Sequence, residues 1–305
     1  MSELRQNLIT RDWVIIATDR AKRPDQFANP KKIPAFLPSH RPDCPFCVGN
    51  EEDGTLETCR LADRTNWKVR AIGNKYPALS PTAERIRISS GIHRMMSGIL
   101  EIRKYPHVET IVIFKNHGES AGTSLEHPHS QIAATPVVPS QFRSRIDAAV
   151  RYFDDTGECL FCRTLEDELA AGERVIFESK YFVAFIPYAA LSPFHIWIFP
   201  RRHSSSFDDI TDAEITDLAD TLKTVLAQLY YGLNNPDYNY SIRSVPTAEQ
   251  ATKYFHWYIA IIPRVTKQAG FELGSGMFIN TALPEESAEF LRSIAIPINP
   301  NFRPT

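Results

Sequence analysis

The sequence has no excess of basic charge: 34 Lys and Arg stand against 36 Asp and Glu, a formal net charge of −2. Nucleic acid is therefore not indicated as a main partner. No apolar run approaches the roughly 18 residues that a membrane span needs. The opening stretch, MSELRQNLITRDW, is charged early and has no apolar signal core. These absences predict a cytoplasmic protein with no membrane partner. Cysteine is also sparse, at five residues in 305. What remains is 43% hydrophobic and 23% charged residues, the balance of a soluble globular protein large enough for two domains or one sizeable one. The short basic clusters RAKRP (20–24) and RRH (201–203) read as solvated surface that could also meet phosphate.

The few cysteines are placed with a pattern. Cys44 and Cys47 form one C-x-x-C pair, Cys159 and Cys162 form another, and Cys59 is unmatched. In a cytosolic chain such pairs point to metal or redox chemistry more than to structural disulfides. A thioredoxin-like motif needs a helix directly after it, whereas CPFCVGNEEDG continues as a loop. Zinc is favoured if histidines complete the sites.

The rest of the chain supplies them in matching order. A proline-rich connection (22–50) leads to the first pair, and ERIRISSGIH (84–93) reads as a strand ending in His93. ETIVIFKNHGES (109–120) holds a buried strand and a turn, and SLEHPHSQ follows. A helix is predicted over 140–155, just before the second pair. PFHIWIFPRRH then reads as a strand ending at His203, and Thr211 with Glu214 makes a capping box for a helix stopping at Gly232. YFHWYIAIIPR (254–264) is a further strand, and PEESAEFLRSI (284–294) a final helix opened by proline.

This order occurs twice, as in an internal duplication. The expected fold is α+β: two diverged repeats, 1–150 and 151–305, each an antiparallel sheet with flanking helices. Tetrahedral zinc takes four Cys or His ligands. The first half offers Cys44, Cys47, His93 and His127; the second offers Cys159, Cys162, His203 and His256. Taken singly, any of these histidines is better explained as a hydrogen-bonded residue; the repeated order is what argues for two zinc ions per chain.

HPHSQ aligns with HWYIA, so His127 matches His256 and His129 matches Tyr258. One half has a histidine to spare, and the other has replaced it. Neutral imidazole attacks phosphorus well near neutral pH and passes the group on. The stretch NHGESAGTS (116–124) offers backbone and hydroxyl donors for phosphate oxygens. Gln131 can donate a hydrogen bond to a phosphoryl oxygen but cannot shuttle a proton, which favours group transfer over hydrolysis.

With these motifs, and with RDWVIIATDRAKRP, NKYPAL and HWYIAIIPR…GFELGSG in order, the chain resembles the galactose-1-phosphate uridylyltransferase family of the histidine-triad superfamily over nearly its whole length. The resemblance implies transfer of a nucleotidyl group through a covalent nucleotidyl-histidine at His129, with Gln131 holding the phosphoryl oxygens. It implies nucleotide and phosphate contacts from Arg20, Arg23, Asn74, Asn116, Gly122, Thr123 and Ser124. Sugar phosphate would meet Lys267, Gln268, Gly270, Phe271 and Glu272. It implies a homodimer as well.

Uridylyltransferases of the family carry a carboxylate in their second metal site, where this chain has CLFC. That departure moves the chain towards the branch of ADP-glucose phosphorylases, and Tyr258 departs as well from the His-x-His of the classical enzymes. Residues 80–107 are also short for the family, leaving little room for a helix at 95–105. The leading expectation is transfer of UMP between UDP-glucose and a hexose 1-phosphate such as galactose 1-phosphate. The alternatives are an ADP-glucose or dinucleoside polyphosphate phosphorylase, and a non-catalytic, zinc-stabilised nucleotide-binding protein. A redox module would leave Gln131 and the Asn-Gly-Ser stretch unexplained.

Overall fold

A computed structural model describes residues 2–17, 24–28, 40–51, 57–61, 67–73, 108–123, 127–249 and 251–297. The expected strand at 84–93 and the short segment 80–107 lie outside these residues, as do Arg20, Arg23, Asn74, His93 and Ser124. The first elements are strands β1 (Glu3–Gln6), β2 (Trp13–Ile16), β3 (Glu57–Leu61), β4 (Val69–Ile72), β5 (Thr110–His117) and β6 (Ser130–Thr135). Helices α1 (Ser140–Thr156) and α2 (Leu160–Ala171) precede β7 (Val175–Glu178), β8 (Phe182–Phe185) and β9 (Ile196–Pro200). Helix α3 (Asp212–Gly232), β10 (Tyr238–Arg243), β11 (Tyr258–Pro263), α4 (Gly270–Ser275), β12 (Phe278–Asn280) and α5 (Pro284–Ser293) complete the order.

The main sheet has seven strands in the order β6-β5-β10-β11-β9-β8-β7, every pair antiparallel. Strand β5 pairs with β10, Ile113 opposite Ile242 and Asn116 opposite Asn239. Distant parts of the sequence thus share one sheet. In a smaller sheet β2 pairs antiparallel with β1 and parallel with β12, which joins the two ends of the chain.

Period-two alternation gives the main sheet two different faces. On one, Ile113, Ile132, Ile242, Ile259, Ile261, Ile196 and Ile198 meet Ile215, Leu218, Leu222, Val225 and Leu229 of α3. The helical residues recur at the spacing of a single stripe, and each fully buried aliphatic side chain contributes about 1.5–3 kcal/mol. On the opposite face, Tyr258, Trp197, Phe199 and Phe185 pack under Ile146 and Ala149 of α1 and Phe161 and Leu165 of α2. That same face turns polar over β5, β6 and β10, where Gln131, Asn116 and Asn239 lie. The candidate site's side chains sit where the helical cover ends.

Several local expectations hold for the stated reasons. Thr211 and Glu214 make the reciprocal capping box of α3, α5 begins with proline, and CPFC continues as turns. Others are corrected. Helix α3 does end at Gly232, but the left-handed residues that turn the chain out are Asn234 and Asn235, at φ 56° and 53°, and not the glycine. A Cβ at Gly232 would meet Ile294 and Phe290 at 3.0–3.2 Å, so glycine there serves the packing of the C-terminal segment. The strand after LEHPH begins only at Ser130. Pro128 has no N–H for a ladder, so His127–His129 lead into the strand as a bend and irregular backbone.

Candidate active site and metal centres

The site is built on the end of β5, the turn after it and the start of β6. Gly118 (φ 83°) leaves the strand and Gly122 (φ 83°) closes a short 3-10 turn over Glu119–Ala121. A side chain on Gly118 would run into the Asp237 carboxylate, whose Oδ2 accepts the Ser120 N–H at 2.7 Å. The glycine therefore allows a close approach as well as the left-handed backbone.

The neighbouring strand braces this loop. Asn239 Nδ2 donates to Asn116 Oδ1 and to the Ala121 carbonyl, both at 2.8 Å, while Arg264 Nε donates to Asn239 Oδ1 at 2.6 Å. With its Oδ1 occupied as an acceptor, Asn116 has its Nδ2 donors to offer elsewhere. Asn239, Arg264 and Asp237 were missed from sequence. They carry no motif of their own, and only the β5–β10 pairing brings them to the loop.

His129 lies just before β6, half-buried, with its ring 5.2 Å from that of Phe46. Its Nδ1 is 3.1 Å from the His127 carbonyl oxygen. An Nδ1–H donating to that oxygen puts the ring lone pair on Nε2. Gln131, two residues on, is 7% exposed, and no hydrogen bond ties its amide to the described residues.

His127 faces the other way in function. Its Nδ1 is 3.1 Å from Cys47 Sγ, and the ligand atoms of Cys44, Cys47 and His127 all lie within 4.8 Å of one another. Asn50 Nδ2 ties the knuckle by donating to the carbonyls of Arg41 (2.6 Å) and Cys44 (2.8 Å), and the Arg41 N–H points at Cys47 Sγ at 3.4 Å. Burial pushes the Cys44 thiol up, so a thiolate there asks for a cation.

The second pair gathers in the same way. Cys159, Cys162 and His203 have ligand atoms within 4.8 Å. His203 Nδ1 is 3.2 Å from Cys162 Sγ, and its Nε2 is 3.0 Å from the Thr252 carbonyl, a contact that orients the ring. His256 stands at the margin of this group, with Nδ1 3.4 Å from Cys162 Sγ and Nε2 buried without a partner. Burial holds His256 neutral, at about 3, the form a metal ligand needs. The hydrogen bond from Cys162 holds the Cys159 thiol down at about 5, while that same shared proton and burial push Cys162 up. Unlike CPFC, CLFC opens a helix: Cys159 is the N-cap of α2. Both groups could hold a metal ion.

Tyr258 is 1% exposed and enclosed by Trp197, Phe199 and Phe161, so the position matching His129 is core. Cys59 is half-buried against the main core. Thr123 lies in the turn, its N–H 3.3 Å from the Gly118 carbonyl. Lys267, Gln268, Gly270 and Phe271 lie exposed at the start of α4, and Glu272 folds back to accept the Ala269 N–H at 2.8 Å. Among the described residues none of these five hydrogen-bonds to His129 or Gln131. No described helix is long and apolar enough to cross a membrane.

Residues 145–296 match the family described as galactose-1-phosphate uridyl transferase, C-terminal domain. The chain is 36% identical to an ADP-glucose phosphorylase of Arabidopsis thaliana, covering 96% of this chain and 93% of that one. It is 27% identical to a galactose-1-phosphate uridylyltransferase of Thermotoga maritima, covering 98% and 100%. A crystal structure of the Arabidopsis thaliana ADP-glucose phosphorylase with bound ADP-glucose superposes with a TM-score of 0.82 at 34% identity, covering 97% and 100% of the two chains. With the same α+β architecture and likeness over its full length, the chain belongs to the galactose-1-phosphate uridylyltransferase family of nucleotidyltransferase enzymes.

Proposed function

We propose that the chain moves a nucleoside monophosphate group from a nucleotide sugar to a phosphate-bearing acceptor through His129. The carrying observation is the Nδ1 contact of His129 with the His127 carbonyl, which presents Nε2 as a nucleophile without a separate base. Nε2 attacks the α-phosphorus, the bond from phosphorus to the bridging oxygen breaks, and sugar 1-phosphate leaves. An oxygen of the acceptor phosphate then attacks the same phosphorus and the N–P bond breaks, which restores His129. Gln131 and the Nδ2 group of Asn116 donate to the phosphoryl oxygens as charge builds. Following the family resemblance, Gly122, Thr123, Ser124, Arg20, Arg23 and Asn74 would contact the nucleotide or its phosphates, and Lys267, Gln268, Gly270, Phe271 and Glu272 the sugar phosphate.

In the first reading UMP passes from UDP-glucose to a hexose 1-phosphate such as galactose 1-phosphate. The second reading, AMP passing from ADP-glucose to inorganic phosphate, is supported by the Cys159–Cys162 knuckle and by the 36% identity over 96% of the chain. We further read the chain as two histidine-triad-like halves, 1–150 and 151–305, acting as a homodimer in the cytoplasm. Zn²⁺ fits the donors Cys44, Cys47 and His127, and Cys159, Cys162 and His203, with His93 and His256 proposed as fourth ligands. It would close two structural tetrahedra.

The test is incubation with α-labelled UDP-glucose and ADP-glucose in separate reactions. An acid-labile, base-stable protein adduct identifies the base. Discharge by galactose 1-phosphate or by inorganic phosphate then identifies the acceptor. No adduct from either donor, with full metal content, overturns the catalytic reading.

A further inference from the structure

The sheet face that carries His129 has a second polar cluster that nucleotidyl transfer does not use. It consists of Arg145 on α1, Arg243 at the end of β10, and His195. The Arg243 guanidinium lies 5.7 Å from the centre of the Phe142 ring. Arg145 is three residues along from Phe142 and so on the same side of α1. Arg145 is 8% exposed and His195 3%, whereas Arg243 keeps partial exposure.

Their donors are largely unspent. The Nε atoms of both arginines and Nδ1 of His195 are buried without partners. The hydrogen bond of Arg145 runs from NH1 to the Gln141 carbonyl at 2.6 Å, and neither arginine has a carboxylate partner among the described residues. His195 Nε2 accepts the Trp197 indole N–H at 3.2 Å, which places the imidazole proton on Nδ1. The groups also feel one another. Burial and the nearby Arg145 depress Arg243 to about 10, and burial with both arginines holds His195 neutral. Two cations, at least partly covered and with no counter-ion among the described residues, call for an anion.

Strand register says where Arg243 sits in the duplication. In β5–β6, Lys115 is opposite Ser130, so the next residues, Asn116 and His129, face each other. In β10–β11, Arg243 is opposite Tyr258, and Tyr258 is the counterpart of His129. Arg243 therefore holds in the second half the place of the phosphate-facing Asn116. Trp197, Phe199 and Tyr258, at most 2% exposed, fill the room that a sugar and base would need.

We propose that Arg145, Arg243 and the Nδ1–H of His195 form a binding site for one tetrahedral oxyanion of the phosphate or sulfate class. It is the remnant of a second nucleotide site that has lost its nucleophile and kept its anion. Charge-assisted bonds from paired guanidiniums suit such a ligand, and the aromatic filling excludes a whole nucleotide.

Sulfate, titrated at constant ionic strength against the full chain without nucleotide, tests this by thermal melting. The expected result is a saturable rise in Tm for the wild type and an apparent affinity about tenfold weaker in Arg243→Gln and in Arg145→Gln. The rise produced by AMP or UMP should survive in both variants. A sulfate response that is absent from the wild type, or equal in wild type and variants, overturns the proposal. Wild-type crystals soaked in selenate give a second reading that needs no variant: anomalous selenium signal between the two guanidiniums supports the site. Signal confined to other places, such as the side of His129, overturns it.

Discussion

His129 Nδ1 lies 3.1 Å from the carbonyl oxygen of His127, while the His127 ring turns its own Nδ1 to Cys47 Sγ, also at 3.1 Å. One residue thus contacts the cysteine knuckle with its side chain and the proposed nucleophile, His129, with its backbone. Residues alternating along an extended chain point their side chains to the same side, but here the two imidazoles have separate partners. The knuckle holds the lead-in to β6 in place, and that lead-in sets which nitrogen of His129 carries the lone pair.

From this follows a division of labour. His129→Ala should abolish the labelled nucleotidyl adduct while leaving the circular dichroism spectrum and metal content unchanged. An adduct retained by this variant would move the nucleophile elsewhere.

His127→Ala should instead lower bound metal by about one equivalent per chain and reduce Tm, because the ligand set loses a member. His203→Ala should likewise lose about one equivalent, but should still form the adduct, since no contact of His203 reaches β6. Metal analysis and adduct labelling on the same samples check both.

Asn239→Ala removes the donor that holds Asn116 Oδ1 and the Ala121 carbonyl. One such hydrogen bond is worth about 0.5–1.5 kcal/mol, so KM for the nucleotide sugar should rise about tenfold, with a smaller change in kcat. Steady-state kinetics separates the two. A fall in Tm with unchanged KM would mean that the relay serves only folding.

Gly118→Ala places a Cβ against the Asp237 carboxylate at a backbone φ of 83°. The turn must shift, at a cost above about 1 kcal/mol. Nucleotide affinity measured by calorimetry should drop more than overall stability measured by urea unfolding.

His195 sets a pH dependence. Burial, with Arg243 and Arg145 nearby, lowers it from 6.5 to about 3 in the folded chain. Below pH 6.5 the unfolded chain takes up a proton that the folded chain refuses, so stability falls as pH drops from about 6.5 towards 3. The slope from this one group is about 1.4 kcal/mol per pH unit. His195→Gln should flatten the wild-type curve by that slope in urea unfolding across the range, and parallel curves would contradict the assignment.

Much of the candidate site was legible in the sequence because the chemistry proposed for it is written in residue types at short spacing. The two C-x-x-C pairs, HPHSQ with its Tyr258 counterpart, and the glycines of NHGESAG each announce a local geometry. Helix α3 was legible through its cap and apolar stripe, and α5 through its opening proline. The role of Gly232 was not, because its packing partners, Phe290 and Ile294, lie some sixty residues away by the numbering.

By itself, then, the sequence determined the candidate ligand types, the candidate nucleophile and its replacement by Tyr258 in the second half, all of them matters of side-chain chemistry and order. Only the tertiary structure decided how they work together. Pairing β5 with β10 carried Asp237, Asn239 and Arg264 to the glycine turn. Covering one sheet face with α1 and α2 made Tyr258 core and left His129 accessible to chemistry. Hydrogen-bond partners and burial depend on which strands become neighbours, and that is a property of the packed sheet rather than of any one segment.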